Sequence, residues 1–308
     1  MISGNSREVA STDVLGAALS VDVDAHPVAA ESVARAVHDE VARLNRIFAP
    51  ADRDSEFSRW RAGRDGGARM SPDLAKVLAA SERFWVFSKG AFHPGAAPLV
   101  NRWREAEASG VPPTASEMRA MAARLELPYT AVSGPVRRTG DCSHVDLSSI
   151  ARGYILDCAL EAGWRLGLAS ALTVDAAGDQ RHRGAGGVRI ALGDLSRLWP
   201  AAPTLETIRL KDAALSRSSR PRSAFHVGAQ HYRNVLDTRS GWPNDEIVAV
   251  AALAPDSMTA DVLATVVGSG AAGAASLPGC AWLAVHADGA VERSDGWPHV
   301  GATTIVGG

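Results

Sequence analysis

The sequence predicts a fold that mixes α-helices with β-strands, some of them antiparallel. In several long stretches apolar residues recur every three to four positions, the spacing of an amphipathic helix. Shorter stretches alternate polar and apolar residues, or run as short apolar segments bounded by glycine, as strands do. Two of these, residues 187–192 and 207–210, are interpreted as the first pair of an antiparallel set.

The composition is that of a globular protein with ample core. The 308 residues are 46% hydrophobic and carry a formal net charge of −2. This suffices for a single domain over residues 1–308, built as two closely packed halves. A nearly neutral chain predicts neither a nucleic-acid surface nor a polybasic membrane patch. Three widely spaced cysteines without a CxxC pair indicate neither a disulfide framework nor a zinc site.

No targeting or membrane-spanning segment is visible. Residues 1–13 lack the basic-then-apolar build of a signal peptide, and no apolar run is long enough to cross a bilayer. We therefore expect a cytoplasmic protein as written, although removal of a leader would leave the same sequence.

The elements up to residue 138 are predicted from periodicity and breakers. Strands are expected over residues 14–23, interrupted by Gly16, and over 129–138, and helices over 27–48, 71–87 and 111–124. Residues 90–103 contain too many glycines and prolines for regular structure. With Phe92, His93 and Trp103, this segment is either a loop shaped around a ring system or a corner packed by its own aromatics.

A change from strand to helix character is predicted over residues 143–157. Residues 143–147 alternate as a strand does, and a helical apolar stripe runs from Ile150 to about Gly167. Asp146, Ser148 and Ser149 occupy the place of a helix N-cap.

Such a strand, small-residue turn and open helix start can bind an anion. Arg152 adds a positive charge that could meet a phosphate. The alternative is an ordinary capped helix with a surface arginine.

The second half is predicted as strands around one further helix. Strands are expected over residues 171–179, 248–253, 282–285 and 303–306, and a strand followed by a turn over 231–243, where Asp237 and Arg239 lie close enough to pair. A helix is expected over 255–267, with Asp256 or Ser257 as its cap. The first strand ends in an exposed aspartate, Asp179, and residues 217–222 form a basic loop that holds a phosphate or simply faces solvent.

Asp261 and Thr265 lie four residues apart on the predicted helix 255–267. Their oxygens therefore share one face, one turn apart, and such a pair suits a hard cation such as Mg²⁺. Alternatively, the Thr265 hydroxyl bonds back to the carbonyl of Asp261.

Six stretches of the chain, in order, resemble motifs of the ApbE family of FAD:protein FMN transferases. They are EFSRW at 56–60 (family SELSRLN), SKGAFHPGAAPLVNRW at 88–103 (SxGAFDPTVGPLVNLW), DLSSIARGYILD at 146–157 (DLGGIAKGYAVD), AAGD at 176–179 (NIGGD), NVLDTRSGWP at 234–243 (HILDPRTGYP), and APDSMTADVLAT at 254–265 (APTAMEADALAT). The resemblance extends from about Val14 to Gly270.

This resemblance implies an α+β fold in which antiparallel sheets, flanked by helices, adopt a T-fold-like arrangement. It also implies a reaction. With Mg²⁺, such enzymes cleave the FAD pyrophosphate, move FMN onto a Thr or Ser hydroxyl of an acceptor protein, and release AMP.

Site residues are implied by position in the matched motifs. The metal-site matches are Asp261, Thr265 and the backbone carbonyl of Ala151. The FAD-pocket matches are Ala91, Phe92, His93, Ser148, Ser149, Arg152, Tyr154, Asp179 and Asn234. Asp261, His231, Asp237 and Arg239 are the catalytic candidates.

The chain departs from the family pattern at several of these positions. Asn234 stands where the family has a histidine, and an amide cannot take a proton from the acceptor hydroxyl at neutral pH. Deprotonation would then need His231, Asp237 or a metal that acidifies the nucleophile. Other departures are His93 for aspartate, Ser148-Ser149 for a glycine pair, Arg152 for lysine, and residues 217–219 for TSG. The alternative functions are an FAD pyrophosphate hydrolase and a catalytically impaired flavin-binding protein.

Overall fold

The computed structural model describes residues 5–66, 69–192, 206–218, 224–233, 235–274 and 276–298. The helices of this part are α1 (Pro27–Phe48), α2 (Glu56–Arg61), α3 (Pro72–Phe87), α4 (Ala97–Ser109), α5 (Ala115–Ala122), α6 (Ser148–Trp164) and α7 (Ser257–Gly268). Its strands are β1 (Asn5–Val14), β2 (Ala17–Asp24), β3 (Tyr129–Thr130), β4 (Arg137–Arg138), β5 (Ala171–Ala176), β6 (Asp179–Gly184), β7 (Val188–Ala191), β8 (Thr207–Leu210), β9 (Ala214–Ser218), β10 (Ala224–Val227), β11 (Gln230–Arg233), β12 (Leu236–Asp237), β13 (Trp242–Pro243), β14 (Ile247–Ala254), β15 (Ala281–His286) and β16 (Val291–Arg293).

A single large sheet organises the described chain. Its strands follow the order β1-β2-β5-β6-β9-β14-β15-β16, and each neighbouring pair is antiparallel. Helices flank this sheet, so the α+β architecture with antiparallel sheets is confirmed. The predicted strand pair 187–192 and 207–210 forms the antiparallel ribbon β7–β8.

At its strand β14, the large sheet is covered on both faces. Val250 and Ala252 belong to the core on the side covered by α7, whereas Ala249, Ala251 and Leu253 pack with the β7–β8 ribbon. Successive side chains of a strand point to opposite faces, so a strand covered on both sides needs a continuous apolar run. This explains why residues 247–254 show no polar alternation.

Helices α6 and α7 approach each other at a glycine. A Cβ placed on Gly153 would lie 2.5 Å from the carbonyl oxygen of Ser257 and 2.6 Å from the backbone of Met258. Only a residue without a side chain permits this contact. The two helices that carry seven of the fifteen predicted site residues are therefore fixed against each other.

The start of α7 is held by carboxylates from two elements. Asp157 of α6 accepts hydrogen bonds from the backbone N–H groups of Ser257, at 2.8 Å, and Met258, at 3.1 Å. Asp256 accepts from the N–H of Thr259 at 2.8 Å and is the N-cap. The predicted cap at Asp256 is confirmed, and the free N–H groups of the first turn are satisfied.

The strand predicted over residues 143–147 is wrong. Residues 142–144 form a short 3₁₀ turn, in which the Asp141 carboxylate accepts from the backbone N–H and the hydroxyl of Ser143. Local side-chain bonds of this kind compete with strand pairing. Helix α6 then begins at Ser148, and its N-cap residue is Leu147, which makes no side-chain cap.

Residues 90–103 are more regular than predicted, because α4 begins at Ala97. Pro98 lies in its first turn, where a missing N–H removes no helical hydrogen bond. The prolines and glycines therefore mark the approach to a helix, and the irregular part of the segment ends at Ala96.

Two strand predictions also need correction. The strand expected over residues 14–23 is a hairpin, with a turn at Leu15 and Gly16 between β1 and β2. Asp179 does not end an exposed strand but begins β6, and it is 5% exposed. The predicted strand 303–306 and residues 219–222 of the basic loop lie outside the described residues. None of the described helices is both long enough and apolar enough to cross a bilayer.

Candidate functional site

A cleft of about 440 Å³ lies between the N-terminal half of α6, the middle of α7 and helix α4. Its size falls in the ordinary range for a small-molecule site. Its walls contain nine of the predicted site residues, namely Ala91, Phe92, His93, Ser148, Ser149, Arg152, Asp179, Asp261 and Thr265. The fold thus brings together side chains that are up to 174 positions apart in the sequence.

The start of α6 forms one wall. Asp146 folds back over this start, because its carboxylate accepts from the backbone N–H of Ser148 at 2.8 Å and from its hydroxyl at 2.7 Å. The segment is tied to the opposite loop by the N–H of Asp146, which donates to the carbonyl of Pro94 at 2.7 Å. The positive end of the helix dipole and Arg152 both face this wall, so it favours an anion.

Asp261 is the most unusual group in the cleft. Its side chain is buried, and its Oδ2 has no hydrogen-bond partner among the described residues. Burial, followed by the repulsion of nearby Asp179, raises its pKa well above the ordinary range, and Arg152 opposes this only in part. A buried carboxylate with an unpartnered oxygen is destabilising unless a ligand completes it.

Asp179 anchors the polar network beside Asp261. Its carboxylate accepts from the Ser216 hydroxyl at 2.6 Å and pairs with Arg152 at 3.2 Å. Arg152 uses only part of its guanidinium here, because its buried Nε has no described partner. The network thus places the guanidinium of Arg152 and the carboxylates of Asp179 and Asp261 close together in the cleft.

The loop before α4 presents a neutral histidine. The Nδ1 of His93 accepts from the N–H of Gly95 at 2.9 Å, so the ring proton must sit on Nε2. Burial lowers the pKa of His93 to about 4. At neutral pH its buried, unpartnered Nε2 is therefore an N–H donor, and His93 is a poor proton acceptor.

This loop is shaped by aromatic packing and by hydrogen bonds together. The rings of Phe92 and His93 lie edge-on against Phe84 and Trp85 of α3. The Thr238 hydroxyl donates to the carbonyl oxygens of Gly90 and Ala91 from across the cleft. The alternative of a corner packed by its own aromatics is wrong, because these rings pack against α3, outside the segment. The loop does line the cleft, and its shape around a ring system stays a prediction.

Sequence reasoning missed two arginines of the cleft. Arg104 of α4 and Arg233 at the end of β11 line it, beside Arg152 and Arg217. The signal for Arg104 was its spacing, because the cleft residues of α4 are Ala97, Val100, Asn101 and Arg104, which is one helical face. Four arginines in one cleft suit a ligand with several phosphate charges.

The oxygen donors suit a hard cation. Asp261 offers an unpartnered carboxylate oxygen, and Thr265 lies one turn along the same helix. The Thr265 hydroxyl donates to the carbonyl of Asp261 at 3.1 Å, as the alternative reading expected, and this leaves its oxygen lone pairs free. The described residues contain no group of three or more His, Cys, Asp or Glu that could hold a metal ion. A metal would therefore take few protein ligands and keep several waters.

The remaining predicted site residues that the structure describes do not line the cleft. Ala151 is buried in the first turn of α6, and the Tyr154 hydroxyl donates to Asp73 at 2.6 Å. Asp237 and Arg239 pair with each other, with Nε 2.8 Å from Oδ1, as their spacing predicted. His231 lies on the exposed face of the β10–β11 hairpin. Asn234 lies outside the described residues, between the cleft residues Arg233 and Val235.

Comparison with solved structures shows the same fold in flavin transferases. An ApbE protein from Thermotoga maritima matches with a TM-score of 0.75 and 22% identity over 94% of this chain and 97% of its own. The apo flavinyl transferase ApbE of Pseudomonas stutzeri gives 0.73 and 20%, over 94% and 95%. The flavin transferase ApbE of Vibrio cholerae gives 0.70 and 20%, over 94% and 97%.

Sequence comparison agrees with the fold. The FAD:protein FMN transferase of Haemophilus influenzae is 26% identical over 249 residues, which cover 74% of this chain and 70% of that protein. The sequence model of the ApbE family matches residues 15–276, from the first described hairpin to just beyond α7. The chain therefore belongs to the ApbE family.

Proposed function

We propose that the protein transfers FMN from FAD to a Thr or Ser hydroxyl of an acceptor protein and releases AMP. The acceptor oxygen bonds to the FMN phosphorus, the pyrophosphate bond to AMP breaks, and the hydroxyl proton leaves the acceptor. Family membership and the name of the Haemophilus relative support this reaction.

The observation that carries the proposal is that Asp261 is buried and that its Oδ2 has no hydrogen-bond partner among the described residues. A protein that kept this cleft only for packing would gain nothing from a buried carboxylate with a free oxygen, facing a second carboxylate. Asp261 and Thr265 would hold Mg²⁺, with Ala151 contributing its carbonyl if the family position carries over. The ion would supply a positive charge that offsets the charge building on the pyrophosphate oxygens.

The arginines and the α6 start would bind and orient the FAD pyrophosphate. Arg152 is already oriented by Asp179, so less side-chain freedom is lost when a phosphate binds. Arg104 and Arg233 also line the cleft and add two further positive charges. His93 would donate its Nε2 proton to a carbonyl oxygen or ring nitrogen of the ligand.

Few of the described groups near the cleft can accept the proton of the acceptor protein's hydroxyl. His231 is outside the cleft, and burial makes His93 a weak base with a pKa of about 4. The cleft carboxylates and solvent remain as proton acceptors among the described groups, with the acidity of the hydroxyl raised by the metal.

The direct test is to incubate the purified protein with FAD, with and without Mg²⁺, and to follow AMP, FMN and bound flavin by chromatography. Transfer onto protein is then sought by adding protein fractions of the source organism and scanning denaturing gels for covalent flavin fluorescence. Asp261→Asn is the test variant, and Asp39→Asn, an exposed carboxylate on α1, is the matched control.

We expect Mg²⁺-dependent AMP and a fluorescent protein band with the parent protein and with Asp39→Asn. Asp261→Asn should lose both by about 10²–10³-fold, the usual loss when a main electrostatic stabiliser is removed. Equal AMP and free FMN without any labelled band would indicate an FAD pyrophosphate hydrolase. Tight FAD binding without AMP under any condition would indicate a flavin-binding protein that has lost its chemistry.

A further inference from the structure

The hairpin β10–β11 carries two histidines side by side on its exposed face. His226 and His231 are directly opposite in the antiparallel register, and their Nδ1 atoms are 2.7 Å apart. Both residues are exposed, and neither lines the cleft. The proposed flavin chemistry therefore leaves this pair without a role.

The other face of the same hairpin is firmly anchored. Phe225 and Tyr232, the neighbouring cross-strand pair, pack their rings at 5.7 and 4.8 Å from that of Trp103. The carboxylate of Glu107 in α4 accepts from the backbone N–H of His226 at 2.7 Å. Since side chains alternate along a strand, this anchoring orients both imidazoles outward together.

We propose that His226 and His231 form a binding site for a divalent transition metal of the Zn²⁺, Ni²⁺ and Cu²⁺ class. Imidazole nitrogen is a favoured ligand of these ions. Two nitrogens bound at ordinary tetrahedral distances are about 3.3 Å apart. A small outward rotation of the two rings from their present contact therefore admits an ion, and water completes its coordination.

This site is chemically distinct from the oxygen site in the cleft. Asp261 and Thr265 offer only oxygen atoms, which select hard ions such as Mg²⁺, whereas the hairpin pair offers two imidazole nitrogens. Excess Mg²⁺ should therefore fail to compete for the histidine pair. The hairpin leads directly into Arg233 of the cleft wall, so an ion bound there would restrain that wall.

The test is a calorimetric titration with Ni²⁺ in the presence of excess Mg²⁺, together with the thermal unfolding midpoint at each Ni²⁺ concentration. The variants are His226→Gln and His231→Gln, which keep a polar side chain on the exposed strand face. His144→Gln removes an isolated exposed histidine and is the matched control. Circular dichroism establishes that each variant is folded.

We expect one Ni²⁺ to bind and to raise the unfolding midpoint, because a ligand that binds only the folded state stabilises it. Either hairpin variant should bind on the order of tenfold more weakly or worse, since half of the protein ligands are gone, while His144→Gln behaves as the parent. Unchanged binding in the hairpin variants, equal loss in His144→Gln, or no binding by the parent protein would each overturn the proposal.

Discussion

Asp157 and Asp261 are carboxylates at the contact between α6 and α7, the first partly buried and the second buried. They differ in how completely their oxygens are hydrogen-bonded. Asp157 accepts from two backbone N–H groups of α7 and pairs with Arg181 at 3.4 Å. Asp261 faces Asp179 and keeps an oxygen without a described partner. The first carboxylate holds the helices together, whereas the second keeps an oxygen that can accept a bond from a ligand.

The difference shows how the contacts around Asp157 hold Asp261 in an unfavourable position. A charge as poorly compensated as Asp261 would be expected to shift its helix or to draw in solvent. Helix α7 cannot shift easily, because its first turn is bonded to Asp157 and its backbone lies against Gly153. Rigid support beside an unsatisfied group is typical of functional sites.

The largest effect is expected when the α6–α7 contact is opened. Gly153→Ala places a Cβ 2.5–2.6 Å from the backbone of Ser257 and Met258, and backbone cannot move aside as a side chain does. We expect a loss of about 2–3 kcal/mol in the free energy of unfolding, measured with urea. Gly273→Ala is the control, because its Cβ would meet nothing within 4 Å. Equal stability of the two variants would show that the close approach does not support the site.

Asp157→Asn should cost about 1–3 kcal/mol in unfolding free energy. An amide can accept from one of the two N–H groups but turns its own donor toward the other, and it leaves Arg181 without its charge partner. The same urea titration measures this. A change within experimental error would mean that Asp157 does not hold α7.

Asp261→Asn should raise the free energy of unfolding by about 1 kcal/mol at pH 7, the opposite of the effect expected for Asp157→Asn. The amide has nearly the same shape and cannot ionise, so it removes the cost of holding a carboxyl group in a buried position beside Asp179. Activity should be lost in the same variant. Destabilisation comparable to that of Asp157→Asn would identify Asp261 as a structural residue and would remove the main support for the proposed site.

The pH dependence gives a smaller and more gradual test. Burial raises the pKa of Asp157 to about 6, from an ordinary value of 3.8. The folded protein then binds this proton more tightly than the unfolded chain, so the group's contribution to stability is present in acid and is lost as pH rises from about 4 to 6. We expect a loss of roughly 1 kcal/mol between pH 5 and pH 7.

Asp157→Asn should flatten that part of the stability curve, which is measured by urea titration at each pH. The pKa of Asp261 is also raised, so Asp261 contributes to the same pH dependence of stability. Its share is separated by recording the same curve for Asp261→Asn. An unchanged slope in Asp157→Asn would place the titrating group elsewhere.

Much of the site was predictable because its residues lie within local sequence patterns. The α7 pair of Asp261 and Thr265 follows from helical spacing alone, and the Asp256 cap from its position before an apolar run. Arg104 was missed for a local reason as well. The prolines and glycines of residues 90–103 concealed a helix whose cleft-facing positions follow a regular period.

The sequence by itself determined the mixture of helices and strands, the charge and spacing of the candidate ligands, and the order of the family motifs. Only the tertiary structure decided which of these groups meet. His231 was a candidate because it lies near a motif, and Asp237 because it lies within that motif. Strand pairing nevertheless turned the first toward solvent, and the second paired with Arg239 outside the cleft. Burial likewise made His93 a neutral N–H donor and left the Oδ2 of Asp261 without a hydrogen-bond partner among the described residues. Ionisation and hydrogen-bond satisfaction depend on what packs around a side chain, and those neighbours come from distant parts of the chain.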